Sequence, residues 1–189
     1  MPVSFIFAAM TTNETLQIRV AVLDLYEGFA NQGMRCIRDI LNHFADDNGL
    51  NIELHEFDVR QKNEVPDTTY DIYISSGGPG SPLESEGSVW ESYYFNWLRQ
   101  IEQFNADPAN EMKKQVFFIC HSFQLVCRHY NIAEVTKRKS TSFGVFPIFP
   151  NRTGREEIIF AGLMGAIKST AVSIERHDTE GCPDPRLAR

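Results

Sequence analysis

Val116-Phe-Phe-Ile-Cys120-His-Ser-Phe-Gln-Leu-Val-Cys-Arg-His-Tyr130 changes character in its middle. The four residues before Cys120 are all apolar, as expected of a parallel strand buried on both faces. A helix from about His121 to Tyr130 follows with no spacer. Cys120 therefore stands at a strand-to-helix joint. A tight joint lifts the side chain above the sheet edge, and the start of a helix supplies N–H groups and a positive dipole end that favour thiolate over thiol. A thiolate so placed can attack a carbonyl carbon. The plainer alternative is a small buried hydrophobe, since free cysteine is often buried.

Working outward, Tyr70-Asp-Ile-Tyr-Ile-Ser-Ser76 predicts another strand, which ends directly in the turn Gly77-Gly-Pro-Gly-Ser-Pro82. Without side chains at Gly77, Gly78 and Gly80, backbone amides can come close to a ligand and stabilise an oxyanion. Upstream, Ile18 to Leu25 predicts a central strand. Met34, Ile37, Ile40, Leu41 and Phe44 recur at helical spacing, with Gly49 closing that helix. Asn51 to Val59 predicts a further strand. Trp90, Tyr93, Tyr94, Trp97, Leu98 and Ile101 form a helical aromatic stripe that reads as core rather than a ligand box. Strand and helix in alternation predict an α/β fold, a three-layer sandwich with a mostly parallel sheet and helices on both faces. Active sites in such sheets lie at the carboxyl ends of the strands, where both Gly77–Gly80 and Cys120 fall.

Gly77-Gly-Pro-Gly-Ser-Pro82, Phe118-Ile-Cys-His-Ser-Phe-Gln124 and Phe143-Gly-Val-Phe-Pro147, in this order, resemble class I glutamine amidotransferases, with the likeness running from about Ile18 to Leu163. The resemblance implies a flavodoxin-like domain that hydrolyses the glutamine side-chain amide through a cysteine thioester and supplies ammonia to a synthetase partner. It implies Cys120 as nucleophile, backbone groups of Gly78 and His121 as oxyanion hole, and Gly77, Gly80, Gln124 and Gly144 around the glutamine. No cofactor is expected, and the cysteine spacing suggests no metal site. Two positions depart from the family's G-x-C-x-G-x-Q: Phe118 and Ser122 stand where glycines are usual. Phe118 is expected to re-aim the joint or fill space near the thiol, and Ser122 to be a milder change.

The family's late H-x-E pair, in which a histidine takes the thiol proton and a carboxylate orients it, has no good match. His177 is the candidate base, but His177-Asp-Thr-Glu180 is H-x-x-E, and Gly181 to Arg189 carries two prolines and no periodic apolar face. The expected organisation is an N-terminal extension over residues 1–15 and a domain over 16–189, incomplete or out of register at its C-terminus. His129 is expected on the outer part of its helix, and His43 and His55 have no visible partners.

With 189 residues, 42% apolar and 23% charged, the chain has the balance of one globular domain. A net charge of −7 offers no field for a phosphate backbone, which argues against nucleic acid as a partner. Val3 to Met10 is too short for a membrane span, and the four cysteines lack CxxC spacing. A cytoplasmic protein with reduced thiols is expected. Three readings stay open: an amidotransferase subunit, a non-catalytic small-molecule-binding or regulatory relative of the same fold, and a related thiol hydrolase or peptidase. Gln124 beside the GGPGSP turn favours the first over the third.

Overall fold

The computed structural model describes residues 17–136 together with Val145–Phe146, Arg152, Glu156 and Val172–Ser173. The expectations for residues 1–15 and for the C-terminal end lie outside the described residues. Four strands, β1 (Gln17–Asp24), β2 (Asn51–Asp58), β3 (Ile72–Ser75) and β4 (Gln115–Phe118), form one sheet in the order β2-β1-β3-β4. Every pairing is parallel, and β3 and β4 run in register from Ile72 opposite Gln115 to Ser75 opposite Phe118. This order places β1 centrally and reverses direction beside it, the arrangement of a flavodoxin-like doubly wound sheet. A separate antiparallel pair joins β5 (Val145–Phe146) to β6 (Val172–Ser173).

The helices are α1 (Gln32–Asn48), α2 (Val59–Lys62), α3 (Val89–Ala106) and α4 (His121–His129). Side chains alternate across a strand, so β1 feeds two cores. Val20 and Val22 meet Met34, Ile37 and Leu41 of α1 on one face. Ala21 and Leu23 meet Val59, the α3 stripe and Leu125 of α4 on the other. The α/β class, the parallel sheet and helices on both faces are as the sequence predicts.

The punctuation of α1 is local chemistry. Asn31 accepts the Met34 N–H at 2.8 Å as N-cap, and Gly49 closes the helix at φ 63°, a conformation that costs glycine little. Of the aromatic stripe, Trp90, Tyr94 and Trp97 are core, whereas Tyr93 is exposed. The short helix α2 is not anticipated by the sequence reading, which continues β2 to Val59. It begins because the Asp58 side chain accepts the Gln61 N–H at 3.1 Å, and it stops at Asn63, φ 57°. Among the described residues no helix is long and apolar enough to cross a membrane.

Candidate active site

The in-register pairing of β3 with β4 makes both chains leave the sheet at one edge, so Gly77 and Cys120 emerge side by side. Cys120 adopts φ 51°, ψ −102°, a conformation L-residues avoid and one that costs about 1–3 kcal/mol unless its surroundings impose it. Here they do. The Ile119 N–H is shared between the Ser75 carbonyl at 2.9 Å and the Ser122 hydroxyl at 2.9 Å. That hydroxyl in turn donates to the Ser75 carbonyl at 2.8 Å, and the Gln124 N–H reaches the Cys120 carbonyl at 3.1 Å. The joint is thus tied to β3 on one side and to the first turn of α4 on the other.

Ser122 is accordingly a working part of the joint, fully buried beneath it. Phe118 lies on the same sheet face as Ser75 and Val116 and packs into the α3 core. Beneath Ser75, its Oγ bonds to the Tyr94 hydroxyl at 2.8 Å. Burial pushes the Tyr94 phenol well above the usual tyrosine range, so it stays neutral.

The glycine turn fits between the joint and the loop after β1. A Cβ on Gly77 would sit 3.2 Å from the Tyr26 hydroxyl and 3.6 Å from the Cys120 Cβ, and one on Gly78 would collide with the Leu25 carbonyl oxygen. Gly78 is therefore glycine because of close approach, and Gly80 because its φ is 82°. Ser76 stitches the layers together: its Oγ accepts the Leu25 N–H at 3.0 Å and donates to the Gly77 carbonyl at 2.9 Å. Asp24, at the same edge, accepts the Tyr26 N–H at 2.7 Å, and burial holds its carboxyl above the ordinary range.

Of the residues singled out in the sequence, Gly77, Gly78, Gly80, Cys120, His121 and Gln124 all lie on the loops and first helical turn of this edge. His121 and Gln124 are buried, and Gln124 Oε1 has no hydrogen-bond partner, an acceptor left over at a buried position. His177 and Gly144 lie outside the described residues. His129 is exposed at the far end of α4, as expected, with its ring stacked on Phe95 at 3.9 Å. His55 does have partners, contrary to expectation: a Tyr70 hydroxyl at 2.9 Å and the Glu53 carboxylate at 3.4 Å. Tyr26 was missed. The signal for it was its place just past the carboxyl end of the central strand.

Neither a protein-family model nor a curated protein matches the chain. Among solved structures, the chain is similar to a glutamine amidotransferase from Thermotoga maritima, with 14% identity over 86% of this chain and a TM-score of 0.45. It is also similar to the protein SMU.1228c, with 17% identity over 88% of this chain and the same TM-score. The chain spans 60% and 64% of the lengths of these two proteins.

Proposed function

We propose that the chain carries glutamine amidotransferase chemistry of the class I type, with Cys120 as nucleophile. The observation that carries this reading is the positive φ of Cys120 at a strand-to-helix joint, beside a glycine turn whose Gly77 lies against its Cβ. Such strain at an exposed sheet edge is stored where a side chain must be presented to a substrate.

In the proposed reaction Cys120 Sγ, as thiolate, attacks the side-chain carbonyl carbon of glutamine. The negative charge that develops on the carbonyl oxygen is taken by backbone N–H groups, Gly78 and His121 by the family resemblance. The C–N bond breaks with protonation of nitrogen, ammonia leaves, and water hydrolyses the thioester to glutamate. Gln124, with its unused Oε1, is the proposed donor-acceptor for the substrate amide or amino-acid end. His177 remains the proposed base, and the ammonia is proposed to pass to a synthetase partner.

The test is intact-protein mass after exposure to an electrophilic glutamine analogue, with ammonia release from glutamine measured in parallel. One adduct is expected, lost in Cys120→Ser and retained in Cys127→Ser, because Cys127 is buried in a small cluster with Ala133 and Val135. An adduct without ammonia release would indicate the non-catalytic binding relative. No adduct, or one that survives Cys120→Ser, would overturn the amidotransferase reading.

A further inference from the structure

Arg60 enters the site region from α2, an element with no part in the chemistry proposed above. Its side chain is only 12% exposed. Nη1 donates to the Pro79 carbonyl at 2.8 Å and the Leu25 carbonyl at 3.3 Å, and Nη2 meets the Glu27 carboxylate at 3.1 Å. The guanidinium carbon lies 5.4 Å from the centre of the Trp90 ring. The neighbouring Gln61 adds a bond from its Nε2 to the Glu27 carbonyl at 2.9 Å. Glu27 and Gly28 both have positive φ, so the loop these residues hold is itself an unusual path.

The two carbonyls are informative. Pro79 belongs to the glycine turn, and Leu25 O is the atom against which Gly78 is packed without room for a Cβ. One planar, permanently charged fork thus ties the turn after β3 to the loop after β1 across the back of the candidate oxyanion site. A run of glycines broken only by one proline has wide conformational freedom, and backbone donors stabilise a developing oxyanion only when fixed before the reaction.

We propose that Arg60 is a positioning residue that fixes the Gly77–Gly80 turn in the geometry required of an oxyanion hole. Both of its Nη atoms bond to protein oxygens, and its effect passes through the Leu25 and Pro79 carbonyls, with the buried Nε left without a hydrogen-bond partner. This inference rests on the amidotransferase reading for its catalytic consequence, while the clamping of the turn stands independently.

The experiment compares wild type, Arg60→Gln and Arg60→Lys in three readouts. Labelling of Cys120 by an electrophilic glutamine analogue needs the ordered turn, labelling by iodoacetamide needs only an accessible thiolate, and amide hydrogen exchange at Gly78 and Gly80 reports the turn directly. In Arg60→Gln the analogue is expected to react slower by about tenfold to a hundredfold, no more than the lower end of the roughly hundredfold to thousandfold loss on removing an oxyanion donor outright. Iodoacetamide should stay within about twofold, and the two glycine amides should exchange faster. Arg60→Lys, which keeps the charge without the fork, should fall between. Equal slowing of both reagents would mean a general disturbance of the site and would overturn the proposal, as would unchanged glycine exchange. If the analogue fails to label wild type, the amidotransferase reading falls, and faster glycine exchange in Arg60→Gln still supports the clamp while unchanged exchange removes it.

Discussion

The two faces of the sheet are built to different depths. On one, α2, α3 and α4 cover Tyr73, Tyr94, Trp97 and Leu125, which are wholly buried among interlocking rings. On the other, α1 is the sole cover among the described residues. Its seam with β1 and β2 buries Met34 and covers Ile37, Leu41, Ile52 and Leu54 in part, while Phe117 of β4 remains 52% exposed and Ile40 of α1 66% exposed. Cys120 stands where β4 meets the deep face, and its hydrogen-bonded supports, Ser75, Ser122 and Tyr94, all lie on that side. The strained joint is held from the face that has the packing to hold it.

The largest expected contrast tests depth itself. Trp97→Ala should cost about 3–5 kcal/mol by leaving a cavity in the deep face. Phe117→Ala should cost no more than about 0.5 kcal/mol, as an exposed side chain does. Denaturant midpoints measure both. A cost for Phe117→Ala approaching that of Trp97→Ala would break the comparison, by showing that the open face is covered in solution.

A smaller effect sharpens it at the joint. Ser122→Ala removes the hydroxyl that links β3 to the chain just before Cys120. Ile119 keeps its bond to the Ser75 carbonyl, so about 1–2 kcal/mol should be lost rather than the fold. The matched control on the α1 side is Arg38→Ala, which breaks a largely exposed pair with Glu56 and should cost about 0.5 kcal/mol or less. Equal losses in the two variants would mean that the buried hydroxyl gives the joint no special support.

Much of the deep face was legible in the sequence. Its strands are short apolar runs, its main helix carries rings at helical spacing, and the change of period at Cys120 marks the joint within a residue or so. Loop geometry was not legible, because it depends on which segments the fold brings together. Nothing near Arg60 in sequence points to Pro79 or Leu25, and a four-residue helix produces no periodicity to detect. Ser76 likewise acquires meaning only once β1 and β3 are neighbours.

The buried tyrosines give the smallest expected effect, and it too is confined to the deep face. Tyr73 and Tyr94 are held neutral by burial, with phenol values pushed above the ordinary 10.0. Above that pH the unfolded chain loses protons that the folded chain keeps, so the folded state binds more protons and stability must fall as pH rises. Their contribution is fully present below pH 10 and lost progressively above it. Tyr94→Phe removes one such group together with its bond to Ser75 Oγ. It should lower stability by about 1 kcal/mol at neutral pH, yet make the alkaline decline shallower, recovering less than about 1 kcal/mol near pH 10.5. Urea midpoints at pH 7 and at about pH 10.5 measure both terms. A parallel decline in wild type and variant would show that the Tyr94 hydroxyl ionises as readily in the folded chain as in the unfolded one, and that the interior beneath the joint is wetter than its packing implies.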